Sequence, residues 1–392
     1  MLLSRSLCNE YTSTLKSCPV FLIEPAPVTS LWYFLHTITD YRRAQGKRHP
    51  LPTILILAVL AICSGADSFQ AVSEWAVNYQ CQLKSVVPFL AFHTPDKSTF
   101  HRVFAHLDTE SFELALGNFL QSITHLQKGE GIALDGKTTA KDRLHLVAAF
   151  AHKAQAVLFQ KATDTKGKEL ILAPLVLERV SVKDRIITAD ALHTHRGFCE
   201  TIVKSGGGYV LIVKGNQEKL QEDLKLFFEN PPFKAGIETY QALEKSKGRI
   251  EKRMLWMSQD LTEYLNWPGL THVFKVQRDR SDKTQKTTEV IYGIASLPEE
   301  YSSIQNLGRY LRGHWSIENK LHRVRDVSFH EDSSTIRTGK APQVMAMLRN
   351  LVISVFKRGT IKSYPQAFRR FSAHPEELFA FLGLNQVKIA VI

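Results

Sequence analysis

Between residues 131 and 216 short apolar runs alternate with helical stretches, and no other feature of the sequence narrows the fold as much. Candidate strands are 131–135, 144–151, 156–162, 185–190 and 209–213. Candidate helices are 168–178, where Leu170, Ile171, Leu175 and Leu177 give an apolar face, and 195–204. Three strands in a meander, then helix, strand, helix, strand, imply an α/β fold with a mixed sheet. The first and fourth runs each end on an aspartate: Asp135 in Gly131-Ile-Ala-Leu-Asp-Gly-Lys137, and Asp190 in Asp184-Arg-Ile-Ile-Thr-Ala-Asp190. If those strands lie side by side, both carboxylates emerge at one edge of the sheet. Asp-Gly alone is also a hairpin turn signal, with Gly136 supplying a positive φ.

Upstream the texture is different. From Leu31 to about Leu126 the apolar spacing is three to four, as in Phe69, Val72, Trp75 and Ala76, and Asp96 stands as a cap before Ser98-Thr-Phe-His. This stretch, 31–126, reads as a small all-α N-terminal domain, with the Arg42 to Lys47 loop either touching phosphates or simply solvated. Residues 1–30 carry Pro19, Pro25 and Pro27 without periodicity and read as a poorly ordered leader. The catalytic sheet domain is expected over 127–358, with a β insertion at about 245–298 and a helical C-terminal tail at 359–392. A chain of 392 residues that is 44% hydrophobic is long enough for two or three such units.

A third acid lies on an amphipathic helix that begins near Ile304. His314, Glu318 and Arg325 stand at minus four, zero and plus seven, so all three are expected to share one helical face. The formal charge of +12 and a pI near 9.4 point to a polyanionic partner. The five cysteines, Cys8, Cys18, Cys63, Cys81 and Cys199, include no Cys-x-x-Cys pair, which argues against a disulfide frame or a structural zinc site. The longest apolar run, Leu51 to Cys63, is well short of the roughly 20 residues that span a bilayer. No signal-peptide pattern stands at the start, so a cytoplasmic, nucleoid-associated protein without a membrane partner is expected.

These residues resemble the bacterial insertion-sequence transposases of the H-repeat-associated (ISAs) type, members of the DDE transposases with an RNase H-like core. The blocks that carry the resemblance include His49-Pro-Leu-Pro, Ser98-Thr-Phe-His-Arg-Val-Phe104, Ala133-Leu-Asp-Gly-Lys137, Ala189-Asp-Ala-Leu-His-Thr194, Tyr209-Val-Leu-Ile-Val-Lys-Gly-Asn-Gln217 and His314-Trp-Ser-Ile-Glu-Asn319. The resemblance implies that Asp135, Asp190 and Glu318 are the DDE acids and hold two Mg²⁺ or Mn²⁺ ions. It also implies that flanking residues contact DNA phosphates, namely Lys137, Lys214, Asn216, Arg312, His314, Trp315, Asn319, His322 and Arg325. Where related families place tyrosine, arginine and lysine around the glutamate, this chain has Leu311, His314 and Arg325.

Such a protein would cut double-stranded DNA at terminal inverted repeats and join the ends to target DNA, as a homodimer or higher oligomer. Hard cations prefer oxygen ligands, which suits Asp, Asp and Glu better than the histidines. Two other readings stand beside this one. A transposase-derived protein could bind DNA without cutting it, and His314, Glu318 and His322 have a spacing that could place a zinc ion for hydrolysis.

Overall fold

The computed structural model describes residues 28–384, apart from 88–89, 91–92, 140–143, 164, 166, 247–248 and 282–285. Residues 1–27 of the expected leader and 385–392 of the expected tail lie outside the described residues. A nine-stranded mixed sheet organises the chain. Its strands are β1 Glu130–Thr139, β2 Leu144–Ala151, β3 Val157–Thr163, β4 Arg185–Ala189, β5 Gly208–Val213, β6 Ile237–Ser246, β7 Arg249–Ser258, β8 His272–Ser281 and β9 Lys286–Ser296. They lie in the order β3-β2-β1-β4-β5-β9-β8-β7-β6. β1, β4 and β5 run parallel at the centre. The β2–β3 hairpin flanks them on one side and the β6–β9 meander on the other, both antiparallel.

Burial explains which strands are continuous apolar runs. Every residue of β2 and of β5 is buried, as expected of strands covered on both faces. β6 is one of the two edge strands, and Ile237-Glu-Thr-Tyr-Gln-Ala-Leu-Glu-Lys-Ser246 is correspondingly polar. The β segment therefore begins at Ile237, ahead of the position near 245 that the sequence suggested. It does not hang off the domain, because β9 pairs with β5, Leu211 opposite Ile294, and so extends the central sheet itself.

Among the described residues six α-helices precede the sheet: Val28–His36, Leu51–Cys63, Phe69–Asn78, Gln80–Val86, Lys97–His106 and Thr109–Ile123. Ser68, Asp96 and Asp108 cap three of them by accepting backbone N–H groups of the first turn. Leu51–Cys63 is buried at every position. These helices do not close on a core of their own. Leu55, Phe104 and Phe119 share one cluster with Val352 and Phe356 of the Ala341–Arg358 helix and with Ala148, Phe150 and Val157 of β2 and β3. Each such side chain contributes about 1.5–3 kcal/mol on burial, so the helical layer is fastened to the sheet by the same term that folds it.

Strand alternation separates the two faces of the central sheet. Ile132, Leu134, Ile187, Ala189 and Leu211 pack under the helices Glu169–Leu177, Arg196–Lys204 and Glu218–Glu229. Ile186, Val210 and Ile212 pack on the other face with Leu307, Tyr310 and Leu311 of the Ile304–Ile317 helix. Cys63, Cys81 and Cys199 are free thiols. Among the described residues no helix is long and apolar enough to cross a membrane.

Candidate active site

The parallel ladder between β1 and β4 pairs Ala133 with Thr188 and Leu134 with Ala189. Asp135 and Asp190 come next in their strands, so they leave the ladder side by side. Alternation places Ala133, Asp135 and Lys137 on the face that also carries Ile186, Thr188 and Asp190. That face lies under the Ile304–Ile317 helix, where His314 Nδ1 is 3.3 Å from Thr188 Oγ1.

β1 continues past the aspartate to Thr139, with Asp135 opposite Ala148 of β2. Asp135-Gly136 is therefore within a strand and is no hairpin turn. A Cβ at 136 would stand 2.8 Å from Oε2 of Glu169, whose flexible carboxylate end reaches in from the opposite face and would have to shift aside. Sequence spacing gives no hint of Glu169, because it opens the next helix and meets β1 only in the fold.

Asp190 is exposed, and its Oδ1 accepts the Leu192 N–H at 3.1 Å, which fixes the turn out of β4. Asp135 is half-buried, and its Oδ1 accepts the Gly136 N–H at 2.8 Å. Burial, and after it the charge of Asp190, push the Asp135 carboxyl up to about 7; the Gly136 N–H opposes the rise, and Glu318 and Glu169 add to it. The charge of Glu318 is thus felt at Asp135.

The Ile304–Ile317 helix travels along β1. Midway along the helix Tyr310 Oη donates to the Gly129 carbonyl, just before β1, at 2.9 Å, and further on His322 Nδ1 stands 3.6 Å from Asp135 Oδ2. Between these points Glu318–His322 forms a π-helical turn, a distortion that recurs at functional sites, before the α-helix resumes at Arg323. Glu318 opens that turn and is exposed. Burial, with Arg325 and Lys137 close by, pushes His322 down to about 3. Burial also pushes His314 down to about 4, against the pull of Asp190. Both imidazoles are neutral at neutral pH.

The cations around the acids are distributed unevenly. Lys214 and Asn216 come after β5, the next parallel strand, and are exposed at the same edge as Asp190; Asn216 Nδ2 donates to the Ala191 carbonyl at 2.6 Å. Asn319 is exposed beside Glu318. Lys137 Nζ is held 2.6 and 2.7 Å from the two carboxylate oxygens of Asp326. Arg312 pairs with Glu244 of β6, and Arg278 of β8 lies 3.7 Å over the Trp315 ring, so the β6–β9 meander occupies both.

Arg325 corrects the sequence reading of one shared helical face. It is 1% exposed, with Nη2 2.7 Å from Glu331 Oε2. The π turn adds a residue to the ladder and rotates the downstream helix by about 100°, so the plus-seven position turns inward. His314 is buried as well, so neither it nor Arg325 offers a group to DNA in this arrangement. The zinc set is likewise unassembled, with His314 turned to Thr188, His322 to Asp135 and Glu318 to solvent. Among the described residues no three His, Cys, Asp or Glu side chains form a closed ligand cluster. The three acids share an electrostatic field without forming a cage.

Known proteins share both parts of the chain. The family described as transposase DDE domain matches residues 124–355, and its companion, DDE_Tnp_1-associated, matches 32–120. The chain is 28% identical over 374 residues to "Putative transposase YncI" of Escherichia coli O157:H7, covering 90% of this chain and 95% of that one. It is 29% identical over 338 residues to "H repeat-associated putative transposase YhhI" of Escherichia coli strain K12, covering 81% and 88%. The cryo-EM structure of a piggyBac transposase synaptic complex with hairpin DNA aligns with a TM-score of 0.42 and 11% identity over 95% of this chain and 81% of that one, too distant a likeness to carry an argument. Matched over more than half its length, the chain belongs to the transposase DDE domain family.

Proposed function

We propose that this protein is a DNA transposase that cleaves phosphodiesters at the ends of its element and joins the freed 3′ ends to target DNA. One observation carries the reading: Asp135 and Asp190 leave adjacent parallel strands side by side, under the helix that leads to Glu318, whose charge is felt at Asp135. The donors are oxygens only, and the Asp135 carboxyl is pushed up by burial and by its acidic neighbours, which is the condition a hard cation relieves. Asp135, Asp190 and Glu318 would hold Mg²⁺ or Mn²⁺ ions, two of which, when bound, activate the attacking oxygen and stabilise the leaving one. The strand order β3-β2-β1-β4-β5, in which β2 alone runs against the other four, supports an RNase H-like core.

The remaining roles derive from exposure and charge. The exposed Lys214 and Asn319 are placed to bond phosphate oxygens beside the acids, as is the Asn216 amide hydrogen not given to Ala191, and the neutral His314 and His322 leave the acidic charge for the metal to balance. The helical region 31–126 is assigned to further contacts with duplex DNA, and a homodimer or larger assembly would bring two ends together. The open arrangement of the acids gives the non-cutting, DNA-binding reading its footing. The two are separated by incubating the purified protein with duplex oligonucleotides carrying the element's terminal inverted repeats and Mg²⁺ or Mn²⁺. Metal-dependent nicking that leaves a 3′-OH is expected; duplex binding without nicking in either ion would establish the non-cutting reading instead.

A further inference from the structure

Along the flank of the glutamate helix, away from the acids, runs a groove of about 350 Å³. Its walls include Gly131 at the start of β1, His152 and Lys153 just beyond β2, and Arg309 and Lys320 of the helix and its π turn. Arg309, Gly313, Ser316 and Lys320 recur at spacings of four, three and four and so form one stripe, beside the stripe of Leu311, His314 and Glu318. The groove is a built feature. A Cβ at Gly131 or at Gly313 would collide with the His152 ring, so strand and helix can close around that imidazole only as glycines. His152 is anchored there, its Nε2 3.1 Å from Thr188 Oγ1.

The charge in this groove is unbalanced. Among the described residues, Lys153, Arg309 and Lys320 take part in no ion pair, whereas the neighbouring Arg312 is matched by Glu244. Glu130, at the foot of β1, is buried, and its Oε1 is taken by the Lys153 N–H at 2.6 Å. Gly131 and Asp135 are four residues apart on β1, about 13 Å along the strand, so the groove and the acids are served by one rigid element.

We propose that this groove binds a backbone phosphate of the DNA duplex held for cleavage, with Lys153, Arg309 and Lys320 as its contacts, and that it positions the strand about 13 Å from Asp135. The inference rests on the proposed function, in its DNA-cleaving or its DNA-binding form. Its test is the salt dependence of duplex binding for the full-length wild type, for the double variant R309Q/K320Q and for K204Q, a control at an exposed lysine paired with Glu200 on another helix.

Losing one phosphate contact makes the slope of log Kobs against log salt shallower by about 0.9. That change is expected for R309Q/K320Q and no change for K204Q, with the Tm of both variants at the wild-type value. A wild type that binds with a steep slope and a double variant with the same slope would overturn the groove while leaving the DNA reading intact. A wild type that binds duplex with no salt slope would overturn the DNA reading and the groove with it.

Discussion

Leu134 of β1 and Ala189 of β4 are partners across the parallel ladder, which makes Asp135 and Asp190 neighbours at the point where that ladder ends. A register shift by one residue would send one aspartate to the opposite face, so the site depends on pairing set far back in each strand. On the proposed function the chemistry rests on three separate elements, and DNA binding on a cationic surface spread over a chain of net charge +12. D135A, D190A and E318A should each lower strand cleavage at least about a hundredfold, some 2.7 kcal/mol in the barrier. Duplex binding should change by less than about threefold. Gel-shift and nicking assays on the same preparations measure the two effects. Wild-type cleavage by any one of these variants removes that acid from the site.

Glu331 sits between Arg325 and Arg349, with all three side chains at most 4% exposed. Its Oε1 is 2.9 Å from Arg349 Nη1 in a hydrogen bond, while the Oε2 to Arg325 Nη2 approach of 2.7 Å is an ion pair set off the hydrogen-bond line. Burial works against the carboxylate, yet the two guanidiniums hold it below the usual range. E331Q keeps the shape and leaves two buried cations unmatched, which should cost about 3–5 kcal/mol in urea unfolding. Because the folded carboxyl titrates below its unfolded value, this stabilisation is present above the unfolded pKa and is lost as pH falls through the folded one.

Glu113 behaves in the opposite sense. Burial pushes it up to about 7, although Gln343 Nε2 donates to its Oε1 at 2.9 Å. A raised carboxyl stabilises the fold below its unfolded pKa, and that contribution disappears as pH rises through about 7. E113Q removes the titration while keeping an acceptor for Gln343. The variant should match the wild type near pH 4 and exceed it at pH 8 by on the order of 2–3 kcal/mol. A thermal melt across that range checks the sign; a variant less stable at pH 8 than at pH 4, relative to wild type, contradicts it.

How much of this was legible in the sequence depends on how local each signal is. β2 and β5 are buried on both faces, so their apolar runs mark their limits, and Asp135 and Asp190 are visible because each stands at the end of such a run. β6 escaped notice because an edge strand needs no apolar run. Glu318 could be placed on a helix, but no residue type announces the π turn that it opens, and that turn sends Arg325 inward. The partners of the cations were illegible for the same reason. Asp326 meets Lys137 and Arg349 meets Glu331 only across elements, where sequence period carries no information.

Lys137 shows how such a hidden partner bears on the proposed function. It lies two residues after Asp135 on the same face, yet Asp326 holds its ammonium with two contacts at 2.6 and 2.7 Å and leaves it 10% exposed. A phosphate approaching Asp135 must compete with that carboxylate for the lysine. D326N removes the competing charge and should tighten duplex binding, steepening the slope of log Kobs against log salt by about 0.9 as one more phosphate is neutralised. If the effect runs through Lys137, K137Q/D326N should bind no more tightly than K137Q alone, so the gain appears only when the lysine is present. An equal gain from D326N in both backgrounds would mean that the aspartate repels DNA directly, and that Lys137 remains a structural partner when DNA is bound.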